Sequence, residues 1–131
     1  MYLTPAFLKV VFPRRDRHLI AYAVEGEKGF VYFNSHGRAV IRNVATCDNG
    51  ADYFHHGIVR VVRDGKWGLA NKRGEFVVPF QFDGILPPLY NERRWAACMG
   101  CRDATDNGEH HWFEGGTWFW IDTKGHVTEG R

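Results

Sequence analysis

Cys98-Met99-Gly100-Cys101 sets two thiols at the spacing from which both can reach one tetrahedral zinc, and His110-His111 follow at a distance that a loop can close. The pattern admits a metal held by Cys98, Cys101 and His110. It lacks a second CxxC pair, and no βαβ pattern surrounds it as a thioredoxin-like redox site requires. The preferred reading therefore expects no metal and no cofactor, with Cys98 packed in the core as a small hydrophobe. Cys47, Asp52, His55 and His56 supply the residue types of a nucleophile, a base and an orienting carboxylate. Nearness along the chain does not set a base against a nucleophile, however, and the segment reads as a polar connection. The chain shows no Gly-rich phosphate cradle opening a helix, no HExxH and no nucleophile elbow. An enzyme is not expected.

A third constellation points to binding. Between Arg102 and Glu114 the chain carries Asp103, Asp106, Glu109 and Glu114 against a single Arg, while the whole protein has a formal charge of +2. Long loops on a regular scaffold are where binding residues concentrate. An acidic loop suits a basic cleft on a partner protein, with Trp112 and Trp118 as aromatic anchors and His110 and His111 in the same contact. His110 to Trp120 also has hairpin character about Gly115-Gly116, so part of the loop extends the sheet.

The elements that would position these residues follow from composition and punctuation. A chain of 131 residues with 44% hydrophobic and 15% aromatic residues supports one domain, 1–131, and 15 glycines imply many tight turns. The expected class is all-β. Lys+Arg at 17 against Asp+Glu at 15 gives no strong pull toward phosphate backbones or anionic lipid, so neither nucleic acid nor membrane is an expected partner. The basic run Pro13 to His18 and the pair Arg93-Arg94 read as solvated turns. Three cysteines, an odd count without a secretory leader, argue for a reducing compartment and against a disulfide framework. Tyr2 to Phe12 is broken by Pro5 and Lys9 and precedes its charges, the wrong order for a signal peptide. A soluble, cytoplasmic protein is expected.

Ile58 to Arg63, an Asp64-Gly65 turn, Lys66 to Asn71, the turn Asn71-Lys72-Arg73-Gly74 and Glu75 to Pro79 make a three-stranded meander. The turn recurs as Asn34-Ser35-His36-Gly37, 37 residues earlier, and as Asp122-Thr123-Lys124-Gly125, 51 residues later. First strands keep a period of 37, with Ala21, Ile58 and Trp95 in register. The extra spacing before the third turn places an insertion near 100–116, in units spanning about 18–42, 57–85 and 94–129. Alternation sets Val59, Val61, Trp67 and Leu69 on one face and Arg60, Gly68 and Ala70 on the other. Trp67, Phe30 and Trp118 fall in one column and read as scaffold. No helix is expected, and Val10-Val11-Phe12-Pro13 reads as a third strand.

Gly57 to Asn71, followed by Gly74, Val77-Val78-Pro79 and Phe82-Asp83, resembles the bacterial WG repeat, also called the KWG repeat. The resemblance is specific over 57–85; elsewhere Lys28-Gly29-Phe30 and Thr117-Trp118-Phe119 stand where Lys-Trp-Gly would. It implies about three WG-type three-stranded antiparallel meanders stacked into one domain, with no shared chemistry. Small intracellular members lie beside secreted or contact-delivered toxins and look like immunity proteins. The functional expectation is a non-catalytic protein-binding module that occludes the active site or target-binding surface of a cognate bacterial toxin; the alternative is a small-ligand or glycan-binding module using exposed aromatics.

Overall fold

In a computed structural model of the chain, which describes residues 1–12, 18–47, 50–104 and 112–130, three turns of the same build pace the fold. Asn34 Oδ1 accepts from the backbone N–H groups of His36 and Arg38, Asn71 Oδ1 from Arg73 and Glu75, and Asp122 Oδ1 from Lys124 and His126, all at 2.9–3.0 Å. Each turn ends on a glycine, Gly37, Gly74 or Gly125, whose N–H donates to the carbonyl of the first turn residue and whose φ is 79°, 81° or 85°. A side-chain oxygen three residues before a left-handed glycine is what the spacing demanded.

The chain is all-β apart from one short helix. Helix α1 (Pro5–Val11) is followed by β1 (Ile20–Ala23), β2 (Phe30–Phe33) and β3 (Ala39–Val44), the first meander. A small ribbon of β4 (Thr46–Cys47) and β5 (Gly50–Ala51) leads to β6 (Ile58–Arg63), β7 (Lys66–Asn71) and β8 (Phe76–Phe82), the second. Next come β9 (Gly84–Leu86), β10 (Arg94–Met99), the pair β11 (Arg102–Asp103) and β12 (Phe113–Glu114), then β13 (Thr117–Asp122) and β14 (Val127–Glu129). One sheet runs β1-β2-β3-β6-β7-β8 and a second β14-β13-β10-β9, with Asp83 as the corner between them. The third meander is β10-β13-β14, interrupted where the displaced turn implied.

Trp67, Leu69, Val78 and Phe82 of the first sheet share a core with Ile85, Trp95, Ala97 and Ile121 of the second. Tyr32, Ile41, Val44, Val59, Val61 and Ala70 form another cluster. The expected faces of the central hairpin are therefore corrected. Asp64 and Gly65 (φ 52° and 78°) make a two-residue turn that sets Val62 opposite Trp67, Arg60 opposite Leu69, Val61 opposite Gly68 and Val59 opposite Ala70. Residues directly opposite share a face, so Arg60 lies with Trp67 and Leu69 rather than away from them.

Successive meanders meet at the turns. A methyl group on Gly74 would strike the Val40 carbonyl on β3, and one on Gly125 would lie 2.5 Å from the Val77 carbonyl on β8; Val40 and Val77 are one period apart. Ahead of the first turn, α1 takes up Val10 and Val11, where a strand was expected; Pro13, the end of that expected strand, lies outside the described residues. Thr4 caps it, its Oγ1 accepting from the Phe7 N–H at 3.3 Å, and Pro5 opens the first turn. That Thr-Pro start was the overlooked helix signal, outweighed in the reading by Val10-Val11. Leu3 N–H donates to the Gly37 carbonyl and Leu8 packs over Gly37, so this segment covers the first turn as each meander covers the next.

Candidate functional site

The Lys-Trp-Gly stretch is explained by three separate contacts. Trp67 is 3% exposed, meets the Phe113 ring edge-on at 5.6 Å and carries the Arg60 guanidinium 5.5 Å above its ring. Gly68 faces the opposite way, where β8 bulges: a Cβ there would sit 2.7–2.8 Å from the backbone of Val78 and Pro79. The glycine thus makes room for a strand crossing, not for the indole beside it. Lys66 pairs with Asp83, whose other oxygen accepts from the Gly100 N–H at 2.7 Å. Asp83 is held below the usual carboxylate range first by Lys66 and then by that N–H. It ties the sheet corner to the end of β10.

Beneath this stretch lies a network that the sequence reading assigned to a plain connection. Asp52 and Arg60 are both buried. Arg60 donates from Nη2 to Asp52 Oδ1 at 2.9 Å, from Nε and its backbone N–H to Oδ2 at 3.1 and 2.9 Å, and from Nη1 to the Ile85 carbonyl at 2.8 Å. Tyr32 donates its hydroxyl to the Asp52 carbonyl at 2.7 Å. Burial first, then the Asp52 and Tyr53 charges, push that phenol up to about 12, so it remains a donor. The Asp52–Arg60 pair thereby joins the first meander, through the Asp52 backbone carbonyl, to the second and, through Arg60 Nη1, to β9. Both Asp52 carboxylate oxygens are bonded to Arg60, and His56 turns elsewhere, its Nε2 3.0 Å from the Glu92 carbonyl and its Nδ1 3.3 Å from Arg93. His55 lies in the tight turn to Ile58, and Cys47 sits on β4.

Cys98 and Cys101 form a disulfide. This corrects the expectation of reduced thiols and of Cys98 as a free core cysteine, and a disulfide offers no thiolate to a zinc ion. Cys47 remains free. The bond staples the turn from β10 into the insertion, whose short β11–β12 ribbon pairs Arg102 with Glu114 and Asp103 with Phe113. Phe113 anchors it: the ring is 7% exposed, lies over Gly84 where a Cβ would be 2.5 Å away, and abuts Trp67. Of the residues expected to touch a partner, Asp103 and Glu114 are exposed on this ribbon, and Trp112 is 40% exposed at its end. Glu114 forms an ion pair with Arg102, so the described part of the insertion is less acidic than its composition. Trp118 is half-buried against the core, its Nε1–H donating to the Gly115 carbonyl at 3.1 Å. Asp106, Glu109, His110 and His111 lie outside the described residues. Phe113 was missed as an anchor; its signal was the pattern Trp112-Phe113-Glu114, one apolar residue facing in between two facing out.

Elsewhere, Arg94 stacks its guanidinium 3.7 Å over the Trp120 ring and pairs with Glu92. Among the described residues no helix is long and apolar enough to cross a membrane, and no group of three or more His, Cys, Asp or Glu is placed to hold a metal.

Residues 67–93 match the family model described as a WG containing repeat. The match covers β7, β8, β9 and the connection to β10. No curated protein and no solved structure matches the chain.

Proposed function

Because the chain carries a WG-containing repeat, we propose that it is a non-catalytic protein-binding module, acting as an immunity protein that neutralises a cognate bacterial toxin. The observation that carries the reading is the seating of the insertion. Phe113 is locked between Gly84 and Trp67, while Trp112 and the rim of the ribbon face outward. A binding segment ordered before contact loses less entropy on association. The contact uses Asp103, Trp112 and Glu114 with the Asp106, Glu109, His110 and His111 of the same insertion, and Trp118 supports it from β13. Its site of action is the bacterial cytoplasm.

Coexpression with the product of an adjacent toxin-like reading frame tests this. Copurification and rescued growth are expected, with both lost when residues 104–112 are replaced by a short Gly-Ser linker. Retention of both by that variant would remove the insertion from the mechanism, and absence of any complex with the unaltered protein would remove the immunity role.

A further inference from the structure

The three equivalent turns share a backbone, so their side chains can be compared position by position. Ser35, Lys72 and Thr123 are equivalent, as are His36, Arg73 and Lys124, and Arg38, Glu75 and His126. Between the first and second turns lies an open cleft of about 680 Å³ lined by His36, Arg38, Lys72 and Arg73, with the buried Ser35 among its walls and no acidic residue among the described residues that line it. A smaller cleft of about 200 Å³ lies beside it, sharing Lys72 and Leu19 and adding His18 and Phe54. At the corresponding junction of the second and third turns, Glu75 stands in place of Arg38 and Thr123 in place of Lys72. The turn itself needs only the Asn or Asp and the Gly, so the scaffold does not require cations at the first junction.

Their pairing sets them apart as well. Arg42, Lys66, Arg94 and Arg102 each face a carboxylate, and Arg73 is shared with Glu75. Among the described residues neither Arg38 nor Lys72 has one; Lys72 instead lies 5.3 Å over the Phe54 ring. A concave site with two cations unpaired among the described residues, a third partly engaged and one imidazole is matched by a compact anion of several charges. Arg supplies forked donors and Lys a mobile point charge, the pair that phosphate groups take.

We propose that this cleft binds the polyphosphate group of a small ligand, with Arg38 and Lys72 as its principal contacts. Isothermal titration with inorganic triphosphate, and separately with ATP, tests the proposal at low ionic strength. Saturable binding of one triphosphate per chain is expected, weakened by salt. ATP should compete for the same site, and a gain in its affinity over triphosphate would assign the ligand to nucleotides. Arg38→Gln and Lys72→Gln should each weaken binding about tenfold, the fold-change of one charge-assisted hydrogen bond. Lys124→Gln, on the third turn, should leave it unchanged. All three side chains are exposed, and an unaltered melting curve confirms that each variant is folded. Equal loss in Lys124→Gln would reduce the effect to general surface charge. No saturable binding, binding of ATP without triphosphate, or tighter binding of a single-stranded oligonucleotide than of either would overturn the proposal. None of these results depends on the insertion or on a toxin.

Discussion

Asp52 meets Arg60 through both carboxylate oxygens although the two side chains are only 1% and 3% exposed. Burying two charges is offset only when geometry is good and the remaining donors are satisfied, as they are here by the Ile85 carbonyl. Removing one partner leaves the other uncompensated. Arg60→Met is expected to cost about 3–5 kcal/mol in unfolding free energy. Asp52→Leu combined with Arg60→Met should recover much of that loss, because the core then holds no charge. Urea denaturation of the single and double variants checks this; additive losses would show that the ion pair is not the source.

Acid should weaken the fold through carboxylates that the native structure holds in ionised form. Asp122 is lowered chiefly by the His126 backbone N–H, Asp83 by Lys66, and Glu75 by Asn71 and Arg73. A folded-state pKa below the unfolded one gives stability that is fully present above the usual carboxylate range of about 4 and is lost as pH falls through the folded value. Asp122→Asn is the informative variant. Asn keeps the Oδ1 acceptor, as Asn34 and Asn71 do in the other two turns, and loses the charge together with the Oδ2 contact to His126 Nδ1 at 3.1 Å. Its urea midpoint should match the parent near pH 7 or differ slightly, and should fall less steeply between about pH 4 and 2. An equally steep fall would mean that the turn contributes nothing to acid sensitivity.

The turns and hairpins were legible because their chemistry is local: Asn71 and Gly74 decide a turn with residues four apart, and Asp64-Gly65 decides a hairpin by itself. The position of the insertion followed from counting between such marks. What escaped was whatever depends on pairing across the chain. Arg60 was placed outward because alternation along β6 and β7 was read without the turn that fixes which residues face each other. Asp52 lies eight residues from Arg60, in a segment with no strand signal of its own, so its burial was invisible. Gly68 looked like space for Trp67, whereas its neighbour is the β8 bulge, a register irregularity that no local pattern announces. The helix at Pro5 to Val11 was a local error of weighting. For the site, Trp112 at the surface was legible; Phe113 beneath Gly84 was not, since it requires knowing that the insertion folds back on the sheet corner.

Two strand glycines, one inside β7 and one opening β9, separate backbone from side-chain obstruction. At Gly68 the atoms in the way belong to the Val78–Pro79 backbone, held by the ladder of β7 and β8; at Gly84 they belong to the Phe113 ring. Gly68→Ala is expected to destabilise by about 1–3 kcal/mol, because a strand must shift. Gly84→Ala can be relieved by the ring swinging out, which frees the insertion while the sheets stay paired. The expected signature is a modest loss of melting temperature together with faster amide exchange at 112–114 and unchanged exchange at 58–71. If both variants lose the same stability and both regions exchange faster together, Phe113 is part of the cooperative core rather than a detachable anchor.

The Cys98–Cys101 bond encloses only the four residues 98–101, so its constraint on the unfolded chain is small, about 2 kcal/mol by loop entropy. β10 is fixed independently by pairing with β9 and β13 and by Asp83 accepting from Gly100. Reduction is therefore expected to lower the melting temperature by roughly 5–10 °C without unfolding the protein. Thiol titration in denaturant should find one thiol per chain, that of Cys47, before reduction and three after it. The same titration on rapidly alkylated cells bears on the compartment, since a reducing cytoplasm would keep all three thiols free. Three thiols in the purified, oxidised protein would overturn the bond itself. The base of the insertion would then rest on Phe113 and the Asp83–Gly100 contact alone.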